Sequence, residues 1–312
     1  MPYLPGRRRG ALWGPTGKVV ALWVALIAAF LVIWQVLQEP AGATHAARTA
    51  NRSSPRSAQS SGGFAVMALP VGFLVLGLGW VFVFQRRLRR FNAESALALK
   101  LFSGAEYAAS ADRFAEIVQR YRGPRILRAT ASFNLATARL RNAEFDRAVE
   151  LLSSIDPWLP RYAPALAPTV AAELAGLYAL RGDAAAAEQW VAEATARAQR
   201  VAPPRPIAGR VAFVQAVNAL RRGEQPAAAA QVLDAAWEDL DRTLVGVELR
   251  PFRALRAFAA ARGGGPSPRA SSATAVAALA EARPGELAWL GAEWPEMRAF
   301  LEGAAAAPPP RG

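Results

Sequence analysis

Two uncharged apolar runs dominate the start of the chain, and an alanine-rich helical pattern fills the remainder. Val19–Leu37 (VVALWVALIAAFLVIWQVL) holds one polar residue, Gln35, and no charge. As a helix it reaches about 28 Å, close to the hydrocarbon thickness of a bilayer. Phe64–Phe84 is a second run without a charge. Both predict transmembrane helices. Pro70 is acceptable within a span because neighbouring groups can re-satisfy the freed backbone. Trp34 and Trp80 lie near span ends, where indoles favour the headgroup layer. Between the runs, residues 38–63 are rich in Ser, Arg, Ala and Gly and predict a disordered loop.

From Phe91 onward the periodicity is helical, with no sustained alternation and no Asn-Gly or Asp-Gly hairpin signal. Short punctuation recurs near SGAEY (103–107), RNAEF (141–145), RGDAA (181–185) and RGEQP (222–226). Each separates two helical stretches, so the chain predicts four consecutive helical hairpins spaced 38, 39 and 41 residues apart. The fold expected is all-α: two transmembrane helices followed by a helical-hairpin solenoid.

Charge sharpens this picture. The chain carries 37 Lys and Arg against 24 Asp and Glu, a net +13. Residues 1–37 hold +4, residues 38–63 hold +2 and QRRLRR (85–90) holds +4, which leaves +3 for residues 91–312. The basicity is therefore concentrated in short segments, which argues against a nucleic-acid-binding domain. Four basic residues before the first span and four after the second favour the cytoplasm over the three in the loop. Arg86 to Arg90 would lie against anionic lipid, which attracts each by about 1 kcal/mol. Both termini are expected in the cytoplasm. A basic start and the small residues AGA at 41–43 also fit a cleaved signal peptide, although the apolar core is longer than that reading prefers. Within the runs, Ala21, Ala25 and Ala29, and Ala68, Gly72 and Gly79, form small-residue stripes of the kind that let helices approach closely in lipid.

The repeated segments resemble the tetratricopeptide repeat (TPR) family, a helical hairpin of 34 residues in its consensus. In residues 129–162 the matching positions are Leu135, Ala136, Ala143, Phe145, Ala148, Leu152 and Pro160. In residues 168–201 they are Leu174, Ala175, Tyr178, Gly182, Ala184, Ala187, Val191 and Ala194. Residues 91–124 match through Leu97, Ala98, Tyr107 and Phe114, with Ser110 where alanine is usual; residues 209–242 keep Ala216, Gly223, Ala228, Val232 and Ala235. The spacing exceeds the consensus and the consensus tryptophan is missing. One hairpin cannot bury its own apolar face, so such units must stack. The resemblance implies a concave groove near Ser95, Leu99, Phe133, Thr137, Ala172, Gly176, Phe213 and Val217. Its candidate polar contacts are Asn134, Arg141, Arg210, Asn218 and Arg221. The Lys and Asn of carboxylate-clamping members are absent from the matching positions.

Residues 243–305 read as an atypical helical cap: a helix from about Pro251 closed by Gly263–Gly265, a second near ATAVAALAEA behind Ser272, and an apolar face of Trp289, Leu290, Trp294, Met297, Phe300 and Leu301. Core packing is the first expectation for these tryptophans and a docking face the second. Residues 306–312 read as a flexible tail.

No catalytic constellation is found. Cysteine is absent and the one histidine, His45, lies in the loop, so metal sites and Ser-His or Cys-His mechanisms lack their residues. GPTGKV (14–19) is a poor phosphate loop, with Leu12 where the first glycine belongs and Val19 in place of Ser or Thr. No cofactor and no small-molecule substrate is expected. The layout is 1–18 cytoplasmic, 19–37 and 64–84 membrane-spanning, 38–63 external, 85–90 juxtamembrane, 91–242 repeats, 243–305 cap and 306–312 tail. It is similar to HemY-like membrane-anchored bacterial TPR proteins in architecture alone. The expected function is an adaptor or scaffold that binds proteins or peptides at the cytoplasmic face of a bacterial inner membrane. The alternative is a regulatory subunit of a membrane enzyme or transporter complex. If the two stripes pack together, Ala25→Leu or Gly72→Leu reduces disulfide crosslinking between cysteines placed on the two spans; unchanged crosslinking contradicts the stripe.

Overall fold

The computed structural model describes residues 62–123, 125–203, 207–223, 226–244, 248–263 and 282–306. The predicted first span with Ala21, Ala25 and Ala29, nearly all of the loop, the helix expected behind Ser272 and the tail from residue 307 lie outside these. Every regular element among the described residues is a helix. The elements are α1 (Gly62–Ser103), α2 (Tyr107–Arg120), α3 (Arg125–Arg141), α4 (Phe145–Ile155), α5 (Leu159–Tyr162), α6 (Ala167–Arg181), α7 (Ala184–Arg200), α8 (Ala208–Arg221), α9 (Pro226–Thr243), α10 (Arg250–Ala261) and α11 (Pro295–Ala306). Short 3-10 turns at Asp156–Trp158, Pro164–Leu166 and Ala288–Gly291 join them.

The chain divides into two units between Phe82 and Val83. In the first, the described side chains of α1 begin at Leu76, so those of Ala68 and Gly72 fall outside. Leu76, Leu78, Trp80 and Phe82 are each more than half exposed, Leu76 at 72%. A side chain built on Gly79 would meet nothing within 4 Å. Among the described residues no helix is long and apolar enough to cross a membrane.

The second unit starts at Val83, and its part of α1 runs through QRRLRR to Ser103. The helical spacing of Leu88, Phe91, Ser95, Ala98 and Phe102 gives this stretch a buried side of its own. It packs on α2, whose buried residues Tyr107, Ser110, Ala111, Phe114 and Ile117 fall on one stripe. Ser110, the departure from alanine, donates its hydroxyl to the Ala98 carbonyl at 2.9 Å. A small hydroxyl fits this crossing because it finds an acceptor there.

Three further helix pairs follow: α3 with α4, α6 with α7, and α8 with α9. Each first helix also meets its neighbours in the series: α3 meets α2, α6 meets α4 and α8, and α8 meets α7 and α10. The first helices are consequently buried almost all round. In α6 the described interior includes Val170, Ala171, Leu174, Ala175, Leu177, Ala179 and Leu180. The second helices bury single stripes, as Phe145, Ala148, Leu152 and Ile155 do on α4. Alanines 136, 148, 175, 187 and 216 are all buried at these crossings.

The hairpin turns share one backbone solution. Ala105, Ala143, Gly182 and Gly223 all take positive φ, at 62°, 60°, 85° and 69°. The residue that starts the following helix comes two or three positions later, and Asp183 caps α7 by accepting from the Ala186 amide at 3.0 Å. Alanine is a poor choice for this conformation because its Cβ crowds the following carbonyl. Ala143 is exposed, so the backbone effect stands alone there. Ala143→Gly should raise stability by about 0.5–1 kcal/mol, the left-handed penalty less the extra chain entropy of glycine. Gly182→Ala should lower it by about 0.5–1 kcal/mol on the same terms, and further where the new Cβ, 2.9 Å from Arg221 Nη2, displaces that guanidinium. Urea unfolding of the two variants checks both signs.

Candidate functional site

The first helices end alike. Arg141, Arg181 and Arg221 are the last residues of α3, α6 and α8, 40 residues apart, and Arg262 follows the end of α10. The last carbonyls of a helix lack intrahelical partners and carry partial negative charge, so arginine there is favoured on two counts. The hairpins satisfy one another's ends: Arg221 Nη1 donates to the Leu180 carbonyl, and Arg262 Nη1 donates to the Leu220 carbonyl at 3.4 Å. Burial lowers the Arg221 guanidinium from its ordinary value, and Glu296 and Glu293 work the other way.

Beside this row lies a small concavity of about 40 Å³, partly open to solvent. Arg141, Glu173 and Arg210 supply its charge, while Ala172, Phe213, Phe252 and Trp289 are among its apolar walls. Arg210 Nε donates to Glu173 Oε1 at 2.7 Å, tying α8 to α6. The Arg141 guanidinium lies over the Trp289 ring at 3.8 Å from its centroid, within cation–π range. Burial pulls Arg141 below its ordinary value, partly offset by the fields of Tyr107 and Glu173. Burial alone would raise the Glu173 carboxyl, while the charge and hydrogen bond of Arg210 and the field of Arg141 pull it down.

Of the expected polar contacts, Arg141 and Arg210 line the concavity and Arg221 lies on the arginine row. Asn134 and Asn218 do not face an open groove: both are buried, at 0% and 6% exposure, within α3 and α8. Ser95, Phe133, Thr137 and Val217 are buried packing positions as well. Thr137 bonds back to the Phe133 carbonyl at 3.0 Å. Ala172, Gly176 and Phe213 do reach the concavity. The reason for the split is the all-round burial of the first helices, which turns most of their positions, Asn134 and Asn218 included, into packing positions. Sequence reasoning missed Arg181 and Glu173. The 40-residue recurrence of Arg141, Arg181 and Arg221 was the available signal for the first; Glu173 carried none, since its partner is on another hairpin.

Among the described residues no group of three or more His, Asp or Glu side chains could hold a metal ion. Comparison with protein-family models, curated proteins and solved structures finds no match to this chain.

The Glu173–Arg210 pair makes stability pH-dependent. A carboxyl held below its unfolded value stabilises the fold above that value, and the contribution fades as pH falls below the unfolded value of 4.5. Glu173→Gln should lower the melting temperature at pH 7, and the gap to the parent chain should narrow by pH 3. A gap of equal size at both pH values contradicts the pair's role.

Proposed function

We propose that the chain is a membrane-anchored adaptor of the TPR type, whose hairpin stack binds protein or peptide ligands at the cytoplasmic face of a bacterial inner membrane. The observation that carries this reading is the concavity itself: a recess of apolar walls with arginines at its rim, formed jointly by three first helices and therefore existing only because the hairpins stack. Apolar walls with a few placed charges suit recognition of a single side chain of a protein or peptide ligand. The TPR-like positions support it, since the small residues at the crossings are buried as close helix approach requires.

The anchor rests on the two uncharged runs, Val19–Leu37 and Phe64–Phe84, and on Arg86–Arg90 beside the second. Exposed Leu76, Leu78, Trp80 and Phe82 suit a lipid environment, because a soluble surface seldom carries so many large apolar groups together. Two apolar spans hold a domain at the bilayer effectively irreversibly, raising the local concentration of whatever it binds.

Gly176 lines the concavity and has open space where a side chain would begin, so it accepts a photo-crosslinking residue. In intact bacterial cells, that residue should capture a specific set of proteins that a crosslinker at exposed Arg113 does not. The chain itself should remain in the membrane pellet after alkaline extraction. Identical capture from both positions, or release of the chain by alkali, overturns the adaptor reading. Capture confined to the subunits of one membrane enzyme or transporter turns it to the regulatory-subunit alternative.

A further inference from the structure

Residues 282–294 differ from the rest of the second unit: apart from one 3-10 turn they are irregular, and besides local bonds and those from Arg298 they make contacts with each hairpin. The Glu286 carbonyl accepts from Tyr107 Oη at 3.3 Å, at the first hairpin turn, and its carboxylate takes Arg250 Nη1 at 2.5 Å. Trp289 lies under Arg141 of the second hairpin and stacks on Phe213 at 6.3 Å. Glu293 meets Arg181 of the third hairpin at 3.9 Å, and its carbonyl accepts from Arg221 Nη2 of the fourth at 2.9 Å. Trp294 then lies edge-on to Phe258 at 5.2 Å. The strip thus visits the four hairpins in chain order, and at three of them it meets the recurring terminal arginine.

The geometry points to an internal ligand: the arginine row Arg141–Arg181–Arg221, with Tyr107 at its head, is a receptor for an irregular peptide bearing carboxylate and tryptophan side chains, and residues 283–294 of the chain occupy it. This deepens the adaptor reading and rests on it for its biological sense. Leu287, Trp289, Leu290 and Trp294 are buried in the main core, as core packing of the tryptophans predicts; two features give the strip the character of a seated ligand as well. The row supplies donors and cationic faces, the complement of carboxylates, carbonyls and indole rings. The fit is also incomplete: among the described residues Glu286 Oε1 and Trp289 Nε1 are buried with no hydrogen-bond partner. Native interiors satisfy nearly all such atoms, and each orphan keeps its desolvation penalty. A partner peptide of the same chemistry that satisfies both atoms therefore has an advantage at equal concentration. The tethered strip has a compensating one, an effective concentration of order millimolar.

The test uses the full chain in nanodiscs and a fluorescein-labelled synthetic peptide of residues 282–301, with a scrambled peptide as control. The parent chain should show no saturable binding below roughly 100 µM, because the tethered strip competes. The Trp289→Ala/Trp294→Ala chain, with its own strip weakened, should bind the peptide at least tenfold more tightly than the parent, as relief from a tethered competitor requires. Adding Arg141→Ala and Tyr107→Phe should abolish that gain. A second route leaves every receptor and ligand contact in place: Gly291→Ala sets a Cβ 2.7 Å from the Arg298 Cα, which dislodges the turn and should also admit the peptide. Folded variants that fail to bind, equal binding of the scrambled peptide, or unfolding of both the tryptophan and the Gly291 variants each overturn the inference, the last because a core element cannot be vacated. Binding is read without any partner, so failure here leaves crosslinking from Gly176 free to succeed, and the reverse.

Discussion

A helix with apolar residues on every side needs company on every side, and that requirement organises the second unit. α3 and α6 carry Ala, Leu, Val and Phe around their whole circumference. One partner helix covers a single stripe of such a cylinder. The remaining faces must be covered by the next hairpin and the previous one, so the hairpins cannot be independent. The second helices have no such need and keep a polar face, as α4 does beside its stripe of Phe145, Ala148, Leu152 and Ile155. Burial of small side chains at the crossings lets the backbones approach, and Ser110 shows the tolerance: a hydroxyl is accepted because the Ala98 carbonyl is within reach.

Stacking has an electrostatic consequence at the turns. Helices laid side by side bring their C-terminal ends into a row, where unpaired carbonyls would otherwise face one another. Arginine at each end answers this, and Arg221 and Arg262 reach back to the carbonyls of the preceding first helix. The same row leaves guanidinium faces and N–H groups along one edge. The same side chains that finish the helices thus place a cationic rim beside an apolar recess.

The hairpin plan was legible in the sequence because its signals are local. The turns at 103–107, 141–145, 181–185 and 222–226 coincide with the breaks between α1 and α2, α3 and α4, α6 and α7, and α8 and α9. Ala143, one of the matching positions, takes the left-handed conformation at its turn. The polar groove was less legible. Asn134 and Asn218 look like groove residues on a one-sided helix but are enclosed on a helix covered from all directions. Trp289, Leu290, Trp294, Met297, Phe300 and Leu301 have nearly helical spacing, yet only the last three belong to α11. Gly285 at positive φ, Gly291 packed on the Arg298 backbone and Pro295 at the helix start break the rest into a strip. Its contacts with residues as distant as Tyr107 depend on the stack and leave no periodic trace.

Hydrogen exchange, resolved by helix, addresses the stacking requirement most directly. Helices enclosed by two neighbouring hairpins should open only when those hairpins separate. Amides of α3, α6 and α8 should therefore exchange slowest and together, behind those of α4, α7 and α9. Hairpins that exchange as separate units, each with its two helices at one rate of its own, would contradict the account.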